Sequence, residues 1–143
     1  MLEKAMILAA KGHTGQVDKG GQPYILHPVR VMLQCETVEE KIVALLHDLL
    51  EDTEYTADDL RAEGFSEEII AAVSCLTHRE GEEYLEYIER ICKNPLAAKV
   101  KFADLQDNMN IQRIPNPTEK DYQRLQKYAK ARKRIEGTRK GGT

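Results

Sequence analysis

The dipeptide His47-Asp48 ends the apolar run Ile42-Val43-Ala44-Leu45-Leu46 and is followed at once by Leu49-Leu50-Glu51-Asp52. One imidazole and three carboxylates therefore crowd a stretch otherwise built for burial. Carboxylates taken out of water without partners either cost free energy or take up a proton, and a divalent cation is the usual remedy. The segment reads as half of a metal site. The other half is sought among the remaining His and Asp residues on apolar faces: His27 in Tyr24-Ile25-Leu26-His27-Pro28, and Asp104 in Val100-Lys101-Phe102-Ala103-Asp104-Leu105. His27, His47, Asp48 and Asp104 make a mixed nitrogen and oxygen set, which suits Mn²⁺, Fe²⁺ or Zn²⁺ better than thiolates do. Mn²⁺ is the ion expected first. Held there, such an ion lowers the pKa of a bound water and polarises a phosphoryl oxygen, which is the chemistry of phosphoester hydrolysis.

The order His, His-Asp, Asp resembles that of the HD-domain metal-dependent phosphohydrolases. Gly15-Gln16, Lys19, Gly21, Pro23-Tyr24 and His27-Pro28 form a first block. Ala44-Leu45-Leu46-His47-Asp48 with Glu51-Asp52-Thr53 forms a second, and Lys101-Phe102-Ala103-Asp104 with Asn108 a third. In that order they are similar to the hydrolase half of RelA/SpoT proteins and to the small alarmone hydrolases, over roughly residues 1–114. The resemblance implies a manganese-dependent hydrolase of the stringent response that removes the 3′-pyrophosphate of guanosine tetra- or pentaphosphate (ppGpp). It further implies that Glu51 and Asp52 orient and deprotonate the attacking water, and that Lys19 and Asn108 contact the nucleotide.

The chain departs from that pattern in two places. Asp18 stands where the resemblance expects arginine, and Leu105-Gln106-Asp107 replaces Arg-Leu-His. Both changes subtract positive charge from the expected nucleotide pocket, leaving Lys19, Lys99, Lys101 and Arg113 to meet phosphate. Two other readings follow: an HD hydrolase acting on another phosphorylated nucleotide or cofactor, and a catalytically silent nucleotide sensor. His13 and His78 are expected at the surface.

Helices have to position these groups. Residues 2–13 carry apolar side chains at helical spacing and stop at Gly12-His13-Thr14-Gly15, where a glycine-rich loop begins. A second helix starts near Pro28, with His27 at its beginning. A third starts after Thr37, has Glu39-Glu40 in its first turn and runs to about Leu50, setting His47 and Asp48 about 100° apart around one axis. Capped helices follow Thr56 and Ser66, another spans residues 82–92, and Asn94-Pro95 opens one that ends near Met109. Residues 118–136 form a long basic helix, with fraying expected from Gly137 to Thr143. No stretch alternates apolar and polar residues as a strand does. The class is all-α: one compact domain of seven or eight helices, with an HD core over 1–114 and a C-terminal helix and tail over 115–143 within the same domain.

Composition narrows the function classes. With 41% hydrophobic and 31% charged residues among 143, the chain suits a soluble globule and has no apolar run of ~18 residues to span a membrane. Met1-Leu2-Glu3-Lys4 has no secretory character, so cytoplasmic residence is the expectation. Cys35, Cys75 and Cys92 are odd in number and far apart, which argues against a disulfide framework. The net charge of −3 disfavours nucleic acid as a partner. The cluster Lys120, Arg124, Lys127, Lys130, Arg132, Lys133, Arg134, Arg139 and Lys140 is read as a solvated helix face. The expected partner is a small phosphorylated nucleotide.

Overall fold

A helix that is apolar on every side has to lie among its neighbours, and the run Ile42–Leu46 is of that kind. The computed structural model describes residues 1–141, with side chains through Thr138. It contains α1 (Leu2–Gly12), α2 (Leu26–Leu33), α3 (Val38–Leu46), α4 (Leu49–Asp52), α5 (Ala57–Ala62), α6 (Glu67–Cys75), α7 (Tyr84–Cys92), α8 (Pro95–Asn108) and α9 (Glu119–Gly141). Helix α3 packs on α1, α2, α6 and α8, and α8 in turn carries α7 and α9 on its other side. With α3 and α4 counted as one broken rod there are eight α-helices among the described residues. Among the described residues the only β feature is an isolated bridge between Val17 and Pro23.

The helix starts follow side-chain chemistry. Thr37 accepts from the Glu40 amide, Ser66 from Ile69 and Asn94 from Ala97, with Pro95 following Asn94 at the first helical position. Thr56 and Asp59 form a reciprocal capping box. The third helix, however, does not run on to Leu50. It ends at Leu46, and His47-Asp48 forms a turn before α4 restarts. The cause is local: His47 Nδ1 donates to the Ala44 carbonyl at 2.5 Å, which a continuous helix offers to the amide of residue 48.

The C-terminal helix is longer than its sequence suggests. The backbone stays helical through Gly141, because Ala131 and Ile135 are buried and Arg134 ties α9 to α7 through both carboxylate oxygens of Glu89 at 2.6 and 2.8 Å. Residues 142–143, where fraying was also expected, lie outside the described residues, as do the side chains of Arg139 and Lys140. The basic face is partly engaged: besides Arg134, Lys127 lies 4.2 Å above the Tyr84 ring. No helix among the described residues is long and apolar enough to cross a membrane.

One clamp fixes the segment between α6 and α7. Arg90 donates to both carboxylate oxygens of Glu82 at 2.9 Å and to the carbonyls of Cys75 and Thr77 at 2.8 and 3.0 Å. Hydrogen bonding from Arg90 holds the Glu82 carboxyl down at about 2, against an ordinary value of 4.5. A carboxyl lowered on folding contributes stability above its unfolded pKa and loses it as the pH falls through the folded one. Glu82→Gln is therefore expected to lower the urea midpoint at pH 7 and to flatten its fall between pH 4.5 and 2. An unchanged acid limb contradicts the clamp.

Candidate active site

Three separate parts of the chain deliver side chains to one buried point. His27 comes from the first turn of α2, His47 and Asp48 from the break after α3, and Asp104 from α8. Asp104 Oδ1 lies 2.8 Å from His27 Nε2 and 3.2 Å from His47 Nε2. Asp48 Oδ2 joins at 3.2 Å from His47 Nε2 and 3.7 Å from His27 Nε2. The break after Leu46 lets two consecutive residues aim inward together. His27, His47 and Asp104 are each less than 5% exposed.

The donor set fits a divalent cation. Both rings have their tautomer fixed from behind, His47 by the Ala44 carbonyl and His27 by Asp107 Oδ2, 2.6 Å from its Nδ1. With Nδ1 engaged from behind, each Nε2 faces carboxylate oxygens, whose negative charge is met either by a proton on the ring or by a cation in its place. Ligand atoms about 2.0–2.2 Å from a common ion lie roughly 3–3.5 Å apart, and the four contacts here run from 2.8 to 3.7 Å. The charges around the point agree. Burial opposes ionisation of Asp104, but Lys101, with Nζ 2.9 Å from Oδ2, and the two histidines hold its carboxyl far below the usual range. Burial also works against a charged His27, yet Asp104, Asp107 and Asp48 lift it to about 10.

No family model matches the chain. It is 32% identical over 120 residues to the guanosine-3′,5′-bis(diphosphate) 3′-pyrophosphohydrolase of Aquifex aeolicus, covering 76% of this chain and 17% of that protein. It is 31% identical over 130 residues to a probable GTP pyrophosphokinase of Mycobacterium leprae, covering 82% and 16%. Its fold matches that of a metazoan ortholog of SpoT that hydrolyses ppGpp, with a TM-score of 0.79 and 24% identity over 96% of this chain and 86% of that one. Over the matched stretch the chain is similar in sequence to RelA/SpoT-type proteins, and it shares the fold of one of them. It spans about a sixth of the length of the two curated relatives named.

Of the other expected residues, Asp52 and Asn108 adjoin the same point. Asp52 lies near Asp48; partial burial, then Asp48 and Glu51, raise its carboxyl. Glu51 accepts the His78 amide, so the segment clamped by Arg90 reaches the site. Asn108 Nδ2 lies 3.2 Å from Asp104 Oδ1 and, with Lys19, lines a cleft of about 260 Å³. Lys99 and Lys101 do not face that cleft. Lys99 sits 3.7 Å from Glu40 beside a different cavity, and Lys101 is consumed by Asp104.

The two departures take on different meanings in the RelA/SpoT-type fold. Asp18 Oδ1 accepts the amides of Gly20 and Gln22, both at 2.9 Å, so it ties the loop together. That loop needs glycine at position 20, where a Cβ would come within 2.4 Å of the Arg113 carbonyl oxygen. Asp107 does not leave bare negative charge: its carboxylate meets His27, Arg30 and Arg113. His13 is buried, contrary to expectation, packed 4.8 Å from the Tyr24 ring with Nδ1 2.9 Å from Gln16 Oε1. Gln16 also donates to the Asp52 carbonyl, so His13 belongs to the packing of the loop on α4. His78 is exposed as expected.

Sequence reasoning passed over Tyr24, Arg30 and the role of Asp107. Tyr24 donates its hydroxyl to Asp48 Oδ2. Each of the three lies three residues from a ligand, Tyr24 and Arg30 on either side of His27 and Asp107 after Asp104, so the helical period applied to each ligand finds them. Removing a partner that orients a metal ligand costs about 10–100-fold in metal affinity. Tyr24→Phe is expected to show a loss in that range by Mn²⁺ titration, with the thermal midpoint little changed. Wild-type affinity would exclude a role for Tyr24 in holding Asp48.

Proposed function

We propose that this domain hydrolyses guanosine 3′,5′-bis(diphosphate) at the 3′-position, releasing pyrophosphate and GDP, with a divalent metal, Mn²⁺ first, held by His27, His47, Asp48 and Asp104. The observation that carries the reading is the convergence of two Nε2 atoms and two aspartyl oxygens whose rings are fixed from behind. When bound, the ion supplies a lowered water pKa and polarisation of a phosphoryl oxygen. The chain's own residues do the rest. Asp52, with its raised carboxyl, accepts the proton of the attacking water, and Glu51, held by the His78 amide, orients that water. The water oxygen bonds to phosphorus, the bond to the ribose 3′-oxygen breaks, that oxygen takes up the proton held by Asp52, and pyrophosphate leaves. Lys19 and Asn108 hold the nucleotide in the cleft.

A second reading keeps the chemistry and changes the nucleotide; Asp18, in place of the expected arginine, favours it. Purified protein with Mn²⁺ is screened chromatographically against ppGpp, dinucleotide cofactors and nucleoside mono- to triphosphates. Pyrophosphate from ppGpp, lost on adding a chelator and in Asp48→Ala, supports the first reading. Orthophosphate from another substrate supports the second. Silence on every substrate removes both and leaves the sensor.

A further inference from the structure

The cleft beside the metal ligands has two guanidinium groups on its wall. Arg30 Nε is 2.8 Å from Asp107 Oδ1, and its Nη2 is 3.1 Å from Oδ2. Arg113 Nη2 lies 3.3 Å from Oδ2 and also donates to the Asp107 carbonyl. Two cations thus share one buried carboxylate, and each side chain keeps more than a quarter of its surface exposed. A guanidinium has five N–H donors. The contacts to Asp107 occupy Nε and Nη2 of Arg30 and Nη2 of Arg113, which leaves both Nη1 edges for a ligand. The pair already holds a bidentate oxyanion, the shape that a phosphate group also presents.

We infer that Arg30 and Arg113 bind the phosphate group of the nucleotide remote from the scissile bond, that is, its 5′-phosphate chain. The inference rests on the nucleotide-hydrolase reading above and adds which groups set its preference. The arginine expected at position 18 is absent, and Asp18 Oδ1 is committed to backbone amides. Lys99 and Lys101 are committed elsewhere. Arg30 and Arg113 supply the compensating charge on the same cleft as Lys19 and Asn108. Asp107 alone stands between Arg30 and the ligand His27, so one nucleotide can reach both places.

The test titrates the full chain calorimetrically with GDP and with guanosine, without added metal, so that phosphate–metal contact contributes nothing. Charge-assisted hydrogen bonds of this kind correspond to roughly 10–100-fold in affinity, so GDP is expected to bind that much more tightly than guanosine. Arg30→Gln and Arg113→Gln should each remove most of that difference and leave guanosine affinity unchanged. Asp107→Asn separates phosphate contact from mere support of His27. It frees both guanidiniums and loosens His27, so GDP should bind more tightly while Mn²⁺ binds more weakly. Equal affinity for GDP and guanosine, no binding of either, or weaker GDP binding in Asp107→Asn overturns the inference. Hydrolysis of ppGpp with equal GDP and guanosine affinities defeats this inference alone. The expected GDP pattern with no hydrolysis of any substrate defeats the hydrolase reading.

Discussion

Asp104→Asn is expected to abolish tight Mn²⁺ binding and to lower pyrophosphate release by roughly two to three orders of magnitude, since the ion's acidity and polarisation are lost with it. Asp104 Oδ1 lies within 3.2 Å of both Nε2 atoms, and Asn108 reaches it as well. An amide in its place offers a neutral oxygen at best. Asp48→Asn, at a more exposed position with no buried lysine behind it, serves as the folding control and should weaken Mn²⁺ with little loss of stability. Retention of submicromolar Mn²⁺ affinity by Asp104→Asn would move the site away from this cluster.

Lys101→Met should have the largest effect on stability. Lys101 and Asp104 are both buried in α8, one turn apart, with Nζ 2.9 Å from Oδ2. Burial opposes the ammonium charge, but Asp104 and the nearby Tyr87 and Tyr84 hold its pKa well above the usual value. Breaking a buried ion pair from one side costs roughly 3–5 kcal/mol because the remaining charge is uncompensated. His27 and His47 still face Asp104, so the lower end of that range is expected by urea unfolding. Combined with Asp104→Asn, the second loss should be much smaller than the first. Strict additivity of the two would show that they do not act as a pair.

Much of the architecture could be read directly. Thr37, Thr56, Ser66 and Asn94 announce helix starts because their side chains satisfy amides that have no other partner. The four metal candidates stand out because imidazoles and carboxylates on apolar faces need compensation, and the chain brings all four together. Less legible was anything decided by a side chain turning back on the backbone. The break after Leu46 depends on His47 reaching Ala44, which hydrophobic periodicity does not register. His13 looked like a loop residue, and only the folding of the loop onto α4 buries it. Asp107 counted as lost positive charge until its partners were visible. Arg30 and Arg113 come from α2 and from the turn Ile111–Arg113, far apart in sequence, and only the tertiary fold shows that they meet one carboxylate.

The seat of the glycine loop carries a consequence of its own. Gly20 rests on the main-chain oxygen of residue 113, so the atom that seats the loop belongs to the backbone there and not to the side chain. Contour and charge in the cleft are therefore set by different atoms of the same residue. Exchange of the side chain at position 113 removes its bonds to Asp107 but leaves the carbonyl against which no residue larger than glycine fits at position 20.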